Sequence, residues 1–326
     1  MKVHILDDWF DTLRGLPCFT TLKAHDVTVW NDHEPDVDRL AARVCDADCL
    51  VLFRERTRVT RALVEQLPNL KLISQRSAYP HIDVDACTAA GVLLCSNQQS
   101  DAPSYAAAEL TLALILASFR QIPQQVGSIR SGTWQMGVGR SLRGRTLGLY
   151  GYGRIARAVA YYAEAMGITV QWWASDEGRK RAQADGAQVA ESRAAFFSTS
   201  DIVSLHVRLK ATTKGIIGSK DLAAMPRRSL LVNTSRSGLI EPGALEAEVE
   251  QGRIFAAVDV FDQEPLTDTS HPLLTNPNVL PTPHIGYVTE DEFELQFSDI
   301  FDQVNAYAKR EPIHMINPEV WRASNG

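Results

Sequence analysis

Cysteine is scarce in this 326-residue sequence, net charge is weak, and long apolar runs are missing. The five cysteines, Cys18, Cys45, Cys49, Cys87 and Cys95, form an odd set without a CxxC pair. That pattern suggests neither a disulfide framework nor a zinc site; it points to buried, reduced thiols, and no metal is expected. The formal charge of −6 gives no general attraction to nucleic acid or to an anionic membrane. An anionic ligand would have to be held by a local cationic pocket. The most apolar run, Leu110 to Phe119, is too short to span a bilayer and lies between Glu109 and Arg120. The segment Met1–Asp8 has no apolar signal-peptide core, so a cytoplasmic location is expected.

What is present is an ordinary globular composition, 45% hydrophobic and 22% charged, in a chain longer than one core usually organises. Two domains are expected. Val3–Leu6, Val27–Trp30, Cys49–Phe53, Leu70–Ser74 and Val92–Ser96 read as strands, and Asp36–Cys45 and Thr60–Leu67 as helices between them. Leu110–Arg120 reads as a long buried helix, and Gln121–Arg145 is polar and rich in Gly, Gln and Arg. A second strand series follows at Thr146–Tyr150, Thr169–Trp173, Ile202–His206, Leu230–Asn233, Ala256–Val260 and Val279–Pro281. Alternating βα units of this kind predict α/β architecture, with two doubly wound parallel sheets covered by helices on both faces.

The strongest local signal is Thr146–Ala156, where a strand runs into Gly151-Tyr-Gly153-Arg154-Ile155-Ala156 and then into a helix over 157–166. Gly151 permits a tight turn, Gly153 lets backbone approach a pyrophosphate, and small Ala156 lets helix pack on strand. The helix N-terminus offers unpaired N–H groups to phosphate. Strand–turn–helix context makes this a dinucleotide site rather than a steric turn. The ribose end stays open. The next strand ends on Ala174 where an acidic residue is usual, Asp176 and Glu177 come slightly late, and Ser175, Arg179 and Lys180 suit a 2′-phosphate. The cofactor is NAD or NADP, with the missing acid tilting the reading toward NADP.

Three later segments narrow the class: Leu231–Ile240, which contains Asn233-Thr234-Ser235-Arg236; Ala257–Pro265, which contains Asp259 and Glu264; and Pro281-Thr-Pro-His284-Ile-Gly286. In order and spacing they resemble the D-isomer-specific 2-hydroxyacid dehydrogenase family, whose members include phosphoglycerate, glyoxylate/hydroxypyruvate and D-lactate dehydrogenases. The resemblance covers nearly the whole chain and is best from about 106 to 286. It implies Arg236, Glu264 and His284 as a catalytic triad. Arg236 offers a charged planar fork to a carboxylate and the C2 oxygen. His284 exchanges a proton with that oxygen, and Glu264 orients the ring and favours its acid form. Asp259 matches the position that holds the nicotinamide carboxamide. Arg154, Ile155, Val207, Thr234, Ser235 and Gly286 match further cofactor positions, alongside Arg236 and His284 themselves.

The resemblance also implies a Rossmann-type nucleotide domain over 99–286 and a flavodoxin-like substrate domain from 1–98 plus 287–326, with the active site in the cleft between them. The sequence departs from the family where a glycine-rich loop is expected. Ser74–His81 places Arg76 and Ala78 at the glycine positions, leaving Ser77, Ala78 and Tyr79 as candidates for lining the substrate site. Arg54, in Leu52–Thr57, either meets a substrate carboxylate or phosphate or sits in a solvated loop. Gln121–Arg145, with Trp134, resembles the family's dimerisation region, so a homodimer is expected. Glyoxylate, hydroxypyruvate and 3-phosphoglycerate are the leading substrate types. Glu264 argues against the formate dehydrogenase branch, which carries glutamine there. The alternative is a nucleotide-sensing binding protein, like the transcriptional corepressors that share this fold.

Overall fold

Each series of βα units closes into its own parallel sheet. The computed structural model describes residues 1–98 and 105–325. The chain divides into one unit of Met1–Pro103 with Thr289–Gly326, and a second of Ser104–Val288. The domain boundary expected at 98/99 adjoins residues 99–104, which lie outside the described residues.

The first unit is built on β1 (Lys2–Ile5), β2 (Asp26–Val29), β3 (Cys49–Val51), β4 (Leu72–Arg76) and β5 (Leu93–Asn97). All pairings are parallel and the order is β2-β1-β3-β4-β5. The order reverses between β1 and β3, which makes their carboxyl ends the switch point where open α/β sheets take ligands. The helices start where the sequence supplies caps: the side chains of Asp36, Thr60 and Asp83 accept the N–H of Arg39, Leu63 and Ala86.

The C-terminal segment joins this unit for a packing reason. Helix Glu290–Ala308 opens with three acidic residues that complement its dipole, and Thr289 caps it. Its Phe293 and Phe297 pack on Phe53 at ring separations of 5.1 and 4.9 Å, and Phe301 stacks on Phe297. Ser74 Oγ donates to the Ile300 carbonyl at 2.9 Å, and Gln303 Nε2 donates to the Gln75 carbonyl. Beyond the helix, the Asn317 side chain accepts the Leu94 N–H and donates to the Val92 carbonyl, stitching the tail to β5.

The second unit is built on β6 (Thr146–Tyr150), β7 (Thr169–Trp173), β8 (Ile202–Leu205), β9 (Leu230–Asn233), β10 (Phe255–Val258) and β11 (Val279–Pro281), all parallel. Their order is β11-β10-β9-β8-β6-β7, with the switch point between β6 and β8. The expected limits of β6, β7, β9 and β11 match residue for residue.

Three expectations need correction. Helix Ala106–Arg120 begins four residues before Leu110 and is amphipathic rather than wholly buried: Ala108, Thr111, Leu114, Ile115 and Phe119 face inward, while Glu109 and Ala113 are exposed. Part of the polar stretch after it is helical, Ile122–Arg130, entered through Gln121 at φ +53. Finally, Cys45 is exposed, although the other four thiols are buried as expected. Burial pushes Cys18 and Cys95 up to about 12 and Cys87 to about 11, which makes them poor nucleophiles. Among the described residues no helix is long and apolar enough to cross a membrane.

Strand β6 shows how tightly the second unit is packed. A Cβ at Gly148 would lie 2.3 Å from Ser200 Oγ and 2.8 Å from two Phe196 ring carbons. Ser200 and Phe196 are fully buried and cannot move aside. Gly148→Ala should therefore destabilise the protein by about 1–3 kcal/mol through overpacking. Urea unfolding read by tryptophan fluorescence checks this, and an unchanged midpoint would show that helix Arg193–Thr199 yields freely.

Candidate active site

The carboxyl edge of the second sheet gathers the motif residues. Gly151, just past β6, has φ +119, and a Cβ there would meet the His206 carbonyl at 2.4 Å and Val207 Cγ1 at 2.9 Å. Conformation and space both demand glycine, and the result is contact between the ends of β6 and β8. Gly153 caps helix Arg154–Ala165 with no side-chain hydrogen bond, and nothing lies within 4 Å of where its Cβ would be. Ala156 is fully buried, whereas Arg154 and Ile155 are exposed on the first turn. A glycine turn open to close approach, feeding a helix start without a side-chain cap, fits the pyrophosphate of a dinucleotide.

At the end of β7, Ala174 is buried and Ser175 Oγ accepts the Gly178 N–H to cap helix Asp176–Ala184. Arg179 donates to the Ala174 carbonyl at 2.6 Å and to Asp176 Oδ1 at 2.5 Å, with its guanidinium 4.3 Å from the Trp173 ring centroid. Ser175 and Arg179 thus both sit at the strand end, and Arg179 neutralises the late carboxylate.

After β9 the side chain of Asn233 brackets the next three residues. Its Nδ2 donates to the Arg236 carbonyl and its Oδ1 accepts the Ser235 N–H. Ser235 Oγ donates to the Leu205 carbonyl, Thr234 shares a 2.8 Å hydrogen bond with Thr111, and an Arg236 guanidinium nitrogen donates to the Ser235 carbonyl.

Asp259 follows β10 and is completely buried. Oδ1 accepts the Thr282 hydroxyl at 2.6 Å and the Ile285 N–H at 2.8 Å, while Oδ2 accepts the Gly286 N–H at 2.9 Å. Burial pushes this carboxyl up, against the hydrogen bonds and His284, which pull it down. A Cβ on Gly286 would come within 3.2 Å of Oδ2. The grip on residues 282, 285 and 286 encloses His284, whose φ is +54. This holding role of Asp259 and Thr282 was not anticipated. The available signal was an acid placed straight after an apolar strand, since a buried carboxylate needs several donors.

His284 Nδ1 lies 2.5 Å from Glu264 Oε2, and Glu264 Oε1 accepts the Phe261 N–H at 2.8 Å. Burial raises the Glu264 carboxyl, but the hydrogen bond and charge of His284, the Phe261 N–H and the Arg236 guanidinium outweigh it. The carboxyl is held below its ordinary value, so it is ionised near neutrality. Its only possible partner on the ring is then an Nδ1–H donor, which leaves Nε2 for chemistry. Glu264 and His284 are therefore brought together, with the charge of Arg236 acting on Glu264.

In the first unit the strand ends are strained. Arg54 (φ +59) follows β3 and donates from Nε to Gln296 at 2.8 Å. Ser77 (φ +76) follows β4, its N–H donates to the Asn97 carbonyl, and its own carbonyl accepts from Gln75 and Ser96. The left-handed residue thus falls between the two expected glycine positions, while Arg76 stays in β4 and pairs with Asp299 at 2.9 Å. Ala78 is exposed, and Tyr79 is half-buried against the apolar core of this unit. Sequence reasoning passed over Asp7 (φ +62), which follows β1: its carboxylate accepts the Thr57 hydroxyl at 2.6 Å and pairs with His33 at 2.8 Å.

The model of the D-isomer specific 2-hydroxyacid dehydrogenase NAD binding domain matches residues 112–286. A D-3-phosphoglycerate dehydrogenase from Methanocaldococcus jannaschii is 35% identical over 84% of this chain, which spans only 52% of that protein. A glyoxylate reductase from Thermococcus litoralis is 31% identical over 93% of both chains. Among solved structures, a putative D-3-phosphoglycerate dehydrogenase oxidoreductase from Ralstonia solanacearum superposes with a TM-score of 0.94 at 42% identity, covering 98% of each chain. These relatives carry dehydrogenase and reductase names and give no support to the binding-protein alternative.

The Glu264–His284 pair sets a pH signature. Because the folded-state Glu264 carboxyl lies below its ordinary value of 4.5, the pairing contributes its full stability above about 4.5. That contribution disappears as pH falls through the lower folded value. Glu264→Gln should therefore be less stable than wild type near pH 7, with the gap closing below pH 4.5. Thermal unfolding followed from pH 3.5 to 7 tests this; a gap that stays constant across the range would exclude an ionised Glu264 in the pair.

Proposed function

The chain belongs to the D-isomer specific 2-hydroxyacid dehydrogenase family, and on that premise we propose that it interconverts small 2-keto and D-2-hydroxy acids. The observation that carries this reading is the 2.5 Å His284–Glu264 contact in a setting where the Arg236 charge reaches Glu264. A nicotinamide dinucleotide, when bound, supplies or accepts the hydride at C2. The chain's own residues do the rest. Arg236 presents its fork to the substrate carboxylate and C2 oxygen. In reduction His284 acts as the imidazolium, giving its Nε2 proton to that oxygen and becoming the neutral Nδ1–H ring; in oxidation the neutral ring takes the proton back at Nε2. Glu264 keeps the ring in the tautomer that makes Nε2 available. Asp259 is assigned to the nicotinamide carboxamide as well as to the His284 turn.

Glyoxylate, hydroxypyruvate and 3-phosphoglycerate are the substrate types this reading favours, with Arg54, Ser77, Ala78 and Tyr79 as substrate-binding residues. NADPH is favoured over NADH: no carboxylate at Ala174 opposes a 2′-phosphate, and Ser175 and Arg179 stand at that strand end with Asp176 already neutralised. We assign a homodimer in the cytoplasm. Helix Ile122–Arg130 buries no residue and exposes Ile122, Val126 and Ile129, and the arm after it exposes Trp134 (75%) and Val138 (89%). Such a concentration of apolar surface is characteristic of an interface.

Oxidation of NADPH and NADH against a panel of 2-keto acids tests the activity, and turnover with none of them would reject it. On the best substrate, His284→Ala should lower kcat by about 10²–10⁴-fold with little change in cofactor affinity. Wild-type turnover in this variant would remove His284 from the chemistry. Separately, Trp134→Arg should shift the protein from dimer to monomer in analytical ultracentrifugation; a monomeric wild type, or a dimeric variant, would refute the assigned surface.

A further inference from the structure

The hydrogen bond to Glu264 restrains the His284 ring through Nδ1, so the ring is held only as firmly as the partly exposed Glu264 side chain. An imidazole that moves with that carboxylate carries Nε2 off its line. The backbone adds a second reason for restraint, because His284 occupies the left-handed region at φ +54, where non-glycine residues need support from their surroundings. The main-chain supports are the His284 N–H donating to the Thr282 carbonyl at 3.0 Å and the Asp259 grip on Ile285 and Gly286. Neither touches the ring. Among the described residues, the aromatic ring set against it is that of Tyr287, half-buried, with ring centroids 5.5 Å apart and planes at 84°. That separation and angle are those of an edge-to-face aromatic pair. The two ring planes are nearly perpendicular, and the contact comes from the residue immediately after the Asp259-bound turn.

We propose that Tyr287 is a positioning residue that acts through His284, its ring setting the plane of the imidazole so that Nε2 stays aligned for proton transfer. The working part is the aromatic ring, not the hydroxyl. The proposal rests on the acid–base role of His284 given above and extends it. Glu264 selects the tautomer and Tyr287 selects the orientation. Removing the ring leaves a general acid that is correctly protonated but seldom aligned. The loss therefore falls on the proton-transfer step and not on substrate or cofactor binding.

The test compares Tyr287→Phe and Tyr287→Ala with wild type on the fastest 2-keto acid of the panel. Tyr287→Ala should lower kcat about 10-fold with KM within twofold, and should raise the solvent deuterium isotope effect on kcat. Tyr287→Phe should return both to within twofold of wild type. A Phe variant as impaired as the Ala variant would assign the effect to the hydroxyl and overturn the proposal. So would an Ala variant whose kcat, KM and unfolding midpoint fall together, since that is a structural loss. A second readout needs no turnover. In protein labelled with ¹⁵N-histidine, the His284 ring should show one sharp Nδ1–H tautomer in wild type and Tyr287→Phe, and exchange-broadened signals in Tyr287→Ala. Identical ring spectra for all three would also overturn it. If His284→Ala turns over normally, the acid–base reading fails, while the ring spectra still decide whether Tyr287 orients the imidazole.

Discussion

A buried carboxylate with three donors is the constraint on which the edge that carries His284 depends. Leaving the Asp259 charge unsatisfied in the interior would cost several kcal/mol. Every one of its side-chain partners, the Thr282 hydroxyl and the N–H groups of Ile285 and Gly286, comes from the single turn that carries His284. Satisfying Asp259 and shaping that turn are therefore one event. The left-handed backbone of His284, a strain of about 1–3 kcal/mol, is held by the same interactions. Gly286 enters the arrangement because its N–H must approach Oδ2 where a side chain would crowd it. A scaffold this economical leaves the imidazole itself free of structural duty, so that its two nitrogens can be divided between Glu264 and chemistry.

Parallel pairing explains why residues scattered from Gly151 to His284 serve one edge. In a parallel sheet every strand points the same way, and helices return the chain to the opposite edge each time. Gly151 after β6, Val207 after β8, Arg236 after β9, Asp259 after β10 and His284 after β11 are each the first residues beyond a strand or close to it. The dinucleotide turn and the acid–base pair are thus consequences of one topology. The switch point between β6 and β8 opens the turn where Gly151 meets His206 and Val207, and the strands on the β9 side carry the polar chemistry.

Much of this was legible in the sequence because the demands fall on residue type. Only glycine fits at 151, only a guanidinium offers Arg236's planar fork, and β-branched runs bounded by polar residues mark strands whether or not partners are known. The limits that shifted did so for local reasons. The helix expected from 157 begins at Arg154, since Gly153 caps it, and the helix Ile122–Arg130 was masked by its composition, its Ile122, Val126 and Ile129 being set among Pro, Gly and polar residues. The Asp259 scaffold was hidden for a different reason. Its partners lie 23 to 27 residues away, and a carboxylate that binds a ligand is spelled the same as one that binds a turn. The Ser74–His81 segment shows the reverse case, since glycines are missing where the family has them while Ser77 adopts the left-handed conformation without one.

Non-glycine residues in that conformation are informative according to where they fall and what holds them. Some have an ordinary explanation: Gln121 and Arg310 follow helix ends, where a left-handed residue terminates the spiral. Asp7, Arg54 and Ser77 do not follow helices. They come directly after or close behind three neighbouring strands of the first sheet, at its carboxyl edge, two of them flanking its switch point. Each is tied by specific bonds, Asp7 to Thr57 and His33, Arg54 to Gln296, and Ser77 to Asn97, Gln75 and Ser96. A turn that had only to reverse the chain would settle on glycine and need none of these partners. Strain that is retained and individually braced is expected where the direction of a side chain matters more than the energy of its backbone. Among the described residues of the second unit, the one such residue close behind the carboxyl end of a strand is His284, tied to Glu264. By the same physical argument, the bonds that brace Asp7, Arg54 and Ser77 hold their side chains in set directions at the carboxyl edge of the first sheet.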